Sequence, residues 1–181
     1  MKDRKQAYMV YIDFDDTIYI HDHHWLPDDD FEQSIQFGLG RKHYDATYLN
    51  KELILKMEEL REHNRKRDVQ TIVCLLTGTH LSVCLEAKTK FLEEELPGFF
   101  DYYLSVSSQE EKPKMINEFD RKMFDQYDII RTMVIDDNFL VNAMCENAEL
   151  FPDLYTQHVT RRFRRCNSMT PQFFEKHFVI K

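Results

Sequence analysis

The residues Tyr8-Met9-Val10-Tyr11-Ile12 run directly into Asp13-Phe14-Asp15-Asp16-Thr17. Five residues of high strand propensity without polar alternation predict a strand covered on both faces, as in a parallel sheet with helices above and below. The carboxyl end of such a strand is where open α/β sheets place their ligands, which puts Asp13 and Asp15 on the rim of a site. Clustered carboxylates repel one another unless a proton or a cation separates them. A hard divalent ion is the simplest answer: Mg²⁺ takes one or two protein carboxylates and completes its shell with water and substrate phosphate oxygens. Taken alone, the same residues read equally well as a solvated turn after an edge strand.

Three further strands are expected, and each ends in chemistry. Val69 to Leu76 is a second buried run, ending in Thr77-Gly78-Thr79, where a hydroxyl and backbone N–H groups can meet an anion. Phe99 to Val106, centred on Tyr102 to Val106, is a third. It is followed by a polar link and by Lys112-Pro113, with proline suited to the first turn of a helix reaching Phe124. Lys112 stands where it can reach back to the rim, and Lys114 competes for that role. Ile130 to Ile135 is the fourth, ending in Asp136-Asp137-Asn138. Between strands, Thr47 to Asn64 and Leu81 to Glu95 carry helical stripes.

At 181 residues the chain fits one domain, 1–181, with 19–46 as a flap or small insert and 156–181 as a C-terminal extension. A net charge of −8 argues against a general nucleic-acid coat or a membrane-surface protein. With only four glycines, no phosphate-cradling glycine-rich motif is present. The four cysteines form no C-x-x-C pair and read as buried thiols of a reducing compartment. No segment approaches the ~20 apolar residues needed to cross a bilayer, and the expectation is a cytoplasmic protein. Phe31 to Lys42 suggests a short helix. His21 to Asp30 reads as a polar flap, its three histidines lacking the spacing of a zinc site.

The ordered set resembles the haloacid dehalogenase (HAD) superfamily of phosphohydrolases over roughly Tyr8 to Asn147. Asp13-Phe14-Asp15-Asp16-Thr17 is similar to its first motif, D-x-D-x-[TV]; Thr77 to the second; Lys112-Pro113 to the third; and Asp136-Asp137 to the fourth. Asp16 departs from the pattern, since the family often has glycine there. The resemblance implies a Rossmann-like three-layer α/β sandwich with a central parallel sheet, the first-motif strand lying beside the fourth. Once the helices are placed, only about Tyr19 to Ala46 remains for an insert, so no large cap is expected. The resemblance further implies a Mg²⁺-dependent phosphomonoester hydrolase. In it Asp13 is the nucleophile that becomes an aspartyl-phosphate, Asp15 the general acid and base, and Thr77, Gly78 and Lys112 bind the phosphoryl group. The metal falls to Asp13, the Asp15 backbone carbonyl and Asp137, with Asp136 in support. Dehalogenases lack the second aspartate and P-type ATPases usually carry threonine there, so Asp15 points to a phosphatase.

Two other readings stand beside this one. A response-regulator receiver also combines acids, threonine and lysine, but in a different chain order. A HAD-fold binding or regulatory module that has lost activity keeps the same architecture. The partner expected is a phosphorylated substrate, and without a lid a macromolecule, a neighbouring subunit or the flap must exclude water. Arg161-Arg162-Phe163-Arg164-Arg165 reads as a solvated helix face or as a contact for nucleic-acid ends. Met169 to Lys181 is expected to fold back as a helix over apolar surface.

Overall fold

The computed structural model describes residues 4–20, 44–79, 81–138, 140–141, 144–145 and 154–158, the last group through its backbone. The expectations for His21 to Asp30, Phe31 to Lys42, Arg161 to Arg165 and Met169 to Lys181 lie outside these residues, as does most of 19–46.

Among the described residues, five strands, β1 (Lys5–Ile12), β2 (Gln70–Gly78), β3 (Tyr102–Val106), β4 (Tyr127–Asp136) and β5 (Leu154–His158), form one sheet. Their order is β3-β2-β1-β4-β5, and every pairing is parallel. The Rossmann-like α/β architecture expected from the sequence is the one observed. β1 is central, and strand order reverses direction between it and β4, which defines the topological switch point of an open parallel sheet. The register pairs Ile12 with Leu75 on one side and Ile135 on the other, so the residues that follow these strands emerge at one level.

Helices α1 (Lys51–Arg65), α2 (Ser82–Glu95) and α3 (Lys112–Met123) cover the sheet. Side chains alternate along β1 as the pleat requires. Tyr8, Val10 and Ile12 pack with Leu53, Met57 and Leu60 of α1 and Phe91 and Leu92 of α2. Ala7, Met9 and Tyr11 pack on the other face with Ile116, Phe119 and Met123 of α3. Both faces are therefore buried, which accounts for the unbroken apolar run of β1 and gives the three layers.

Two boundaries differ from the sequence reading for identifiable reasons. The helix expected from Thr47 begins at Lys51, because Asn50 caps it: its side-chain oxygen accepts the Leu53 N–H at 2.9 Å. Ala46–Tyr48 is a separate 3-10 turn capped by Asp45. Asn50 is buried, and its side-chain amide also donates to the Thr17 carbonyl at 2.9 Å, tying the start of α1 to the acidic turn after β1. β5 lacks an apolar signature at its edge position and overlaps the segment assigned to the C-terminal extension, so the sheet extends one strand further than the sequence showed.

Candidate active site

Asp13 leaves β1 pinned between strands, its N–H donating to the Ile135 carbonyl of β4 at 2.9 Å. The turn that follows is tight. Asp16 adopts φ 55°, a left-handed conformation that glycine adopts freely and that aspartate tolerates better than most residues. Thr17 is fully buried, and its hydroxyl oxygen accepts the Asp137 N–H at 3.1 Å. This bond locks the turn after β1 to the turn after β4.

Carboxylate oxygens of Asp13, Asp136 and Asp137 lie within 4.8 Å of one another. Lys112, the first residue of α3, is buried, and its ammonium donates to Asp13 Oδ1 at 2.9 Å and to Asp136 Oδ2 at 2.6 Å. Lys114 points away and pairs with Glu118 at 3.9 Å on an exposed face, so the competition between the two lysines resolves to Lys112. Asp136 also accepts the Asn138 N–H on Oδ1 at 2.8 Å. Both of its oxygens thus already serve Lys112 and the turn, a supporting rather than an outward-facing arrangement.

Burial pushes the Asp13 carboxyl up to about 7; Lys112 opposes the shift, while Asp136 and Asp15 add to it. Burial also works against the charged form of Lys112, but Asp13 and Asp136 together outweigh it and hold the ammonium charged above its usual range. One ammonium against three adjoining carboxyl groups leaves an excess of negative charge in a buried place. An all-oxygen donor set with such an excess fits a hard divalent cation.

The Asp15 carboxylate does not join the group of three. It turns to Lys88 of α2, whose Nζ lies 2.6 Å from Asp15 Oδ2 and 2.9 Å from Thr77 Oγ1. Thr77, fully buried near the end of β2, sits at the level of the acidic turn. Gly78 pairs with Val106 of β3, and a Cβ there would meet the Gln109 Nε2 at 2.9 Å, so the glycine admits a close approach of that side chain. Lys88 was not anticipated. The one signal available was a lysine on the inner stripe of α2 beside Phe91 and Leu92, where an apolar residue is the rule.

Asp120 is a second residue that sequence reasoning missed. Two turns beyond Lys112 on α3, it is buried and accepts hydrogen bonds from Tyr11 at 2.5 Å and Thr132 at 2.6 Å, fixing the helix to β1 and β4. Burial raises its carboxyl to about 6, against the opposing effect of those two donors. The fold therefore favours the protonated form. Asp120 contributes most to stability below its ordinary value of 3.8, and this contribution is lost as pH rises through about 6. Asp120→Asn, which has no proton to lose, is expected to be more stable than wild type at pH 8 by an amount on the order of 2 kcal/mol. The advantage should shrink toward pH 4. Urea unfolding at both pH values checks this, and a wild type more stable than the variant at pH 8 contradicts it.

With five parallel strands in the order 3-2-1-4-5, and a D-x-D turn, a threonine, a lysine and a D-D turn converging at the switch point, the architecture is decided. The fold is the Rossmann-like parallel α/β sandwich that the resemblance implies. Among solved structures, the chain is similar to the HAD domain of the effector protein Lem4 from Legionella pneumophila, determined as an inactive mutant. Identity there is 13%, covering 95% of this chain and 93% of that one, with a TM-score of 0.49. It is also similar to a chain in the Pnkp1/Rnl/Hen1 RNA repair complex, at 15% identity over 89% of this chain and TM-score 0.48; it spans 45% of that chain's length. No protein-family model and no curated protein matches the sequence. Among the described residues, no helix is long and apolar enough to cross a membrane.

Proposed function

We propose that this HAD-like chain is a Mg²⁺-dependent phosphomonoester hydrolase acting through an aspartyl-phosphate. The observation that carries the reading is the approach of Asp13, Asp136 and Asp137 to within 4.8 Å, with Lys112 joining the first two. Asp13 and Asp137, with the Asp15 backbone carbonyl, would hold the Mg²⁺, which when bound offsets the charge of nucleophile and phosphate alike.

The chain's own residues account for the chemistry. A carboxylate oxygen of Asp13 attacks phosphorus in line; the P–O bond to the leaving group breaks, and a phosphoryl–Asp13 bond forms. Asp15, one residue removed and half-exposed, delivers a proton to the departing oxygen. It then takes a proton from water as that water attacks the phosphoryl group and releases Asp13 and inorganic phosphate. Thr77 donates its hydroxyl to a phosphoryl oxygen. Lys112 opposes the burial that disfavours the Asp13 carboxylate and adds positive charge where negative charge gathers.

Hydrolysis of p-nitrophenyl phosphate is the first test. Turnover is expected with Mg²⁺, is expected to fall to background with EDTA, and should return when Mg²⁺ is restored in excess. A panel of sugar phosphates, nucleotides, phosphopeptides and 3′- or 5′-phosphorylated oligonucleotides then sorts the substrate class. Absence of turnover across the whole panel would leave a catalytically silent HAD-fold module instead.

A further inference from the structure

Lys88 is a buried ammonium that the four-motif scheme does not use. It lies in the middle of α2 with its side chain 7% exposed, and its Nζ stands 4.7 Å from the centre of the Phe14 ring. A lysine on an inward helix face gives up hydration that a core leucine would not. The return is a specific placement: hydrogen bonds to Asp15 Oδ2 at 2.6 Å and Thr77 Oγ1 at 2.9 Å. These are the two side chains that, in the phosphatase reading, face the leaving oxygen and the transferred phosphoryl group.

We propose that Lys88 is a second phosphoryl-contacting ammonium, a catalytic residue that makes this site select dianionic phosphomonoesters. The inference rests on the phosphatase reading and adds a contact to it. Three observations support it. By donating to Thr77 Oγ1, Lys88 makes that oxygen the acceptor and leaves the hydroxyl proton to be given to an anion. An oxygen held by Thr77 then lies within reach of the same ammonium, which carries three donors. The ion pair also reaches the surface through Asp15, whose side chain is 44% exposed while Lys88 is enclosed, so the pair borders the solvent-facing side of the site. Finally, among the described residues, carboxylate oxygens of Asp13, Asp136 and Asp137 lie within 4.8 Å of one another and Asp15 pairs with Lys88, so the buried ammonium groups Lys88 and Lys112 stand in an acidic field. A dianion entering that field depends on each cation it meets.

The test compares wild type with Lys88→Met, Lys88→Gln and Lys88→Arg. Because Asp15 is half-exposed, removing Lys88 does not strand a buried carboxylate, and the variants are expected to melt close to wild type. For p-nitrophenyl phosphate with Mg²⁺, the methionine and glutamine variants should raise KM, and the inhibition constant of inorganic phosphate, by roughly tenfold or more, the scale of one charge-assisted hydrogen bond. Arginine should restore most of both. Calorimetric titration with inorganic phosphate gives the same comparison without turnover, and also covers a methionine variant that fails to fold, through the glutamine and arginine forms. Folded variants with unchanged KM and unchanged phosphate affinity overturn the proposal while leaving the phosphatase reading intact. A fall in kcat alone, with phosphate binding untouched, likewise overturns it and reduces Lys88 to positioning Asp15. A wild type that neither turns over phosphate esters nor binds phosphate overturns both.

Discussion

Lys112→Met is expected to lower the free energy of unfolding by about 3–5 kcal/mol and to abolish turnover. Methionine fills nearly the same volume, so the loss comes from charge and not from a cavity. In the wild type one ammonium lies 2.9 Å from Asp13 and 2.6 Å from Asp136, all three side chains being buried. Without it two carboxyl groups face each other with no counter-charge, and one must stay protonated or the start of α3 must move. Asp136→Asn in the same chain removes one of the two and should recover part of the stability with none of the activity. Denaturant unfolding of the single and double variants at pH 7 in EDTA reads this directly. A Lys112→Met protein within 1 kcal/mol of wild type would mean that the triad is not the charge-balancing centre described here.

Asp13→Asn should separate activity from stability in opposite directions. Loss of the nucleophile is expected to reduce kcat by a factor on the order of 10⁴ or more. In the absence of divalent ions the variant should melt no lower than wild type, and higher at pH 8. The sign follows from burial, which raises the Asp13 carboxyl to about 7. The folded state prefers the proton, so the group's contribution is fully present below its ordinary value and is lost as pH climbs through 7. Asparagine removes that dependence, while Lys112 keeps Asp136 as its partner. Saturating Mg²⁺ should invert the order, because an ion bound only by the folded state stabilises the protein with the fuller ligand set. Thermal melts at pH 8 with EDTA and with Mg²⁺ give all four values, and an unchanged ranking contradicts the account.

Legibility in the sequence followed the strength of the local signal. β1, β2 and β4 were plain because runs such as Tyr8 to Ile12 and Val69 to Leu76 are apolar on both faces of the pleat, a pattern forced by helices on each side. The residues that follow or close them inherit their position from the strands, so Asp13, Thr77 and Asp136 fall at one edge of the sheet. What local pattern does not encode is which polar side chain a neighbouring layer will bury. Lys88, Asn50 and Asp120 are polar residues whose burial depends on partners far along the chain: Asp15, Thr17 and Tyr11. β5 escaped notice because an edge strand needs no continuous apolar run. The helix start at Lys51 in place of Thr47 turned on Asn50, whose side chain caps the helix.

The most direct measurement is acid-quenched trapping of the covalent intermediate. Wild type mixed with a ³²P-labelled phosphomonoester and Mg²⁺, quenched within milliseconds and digested, is predicted to carry acid-stable, alkali-labile label on the peptide containing Asp13. That label should disappear in the Asp13→Asn protein. Turnover without label at residue 13, or label on any other aspartate of the rim, would contradict the assignment of Asp13 as the group that attacks phosphorus.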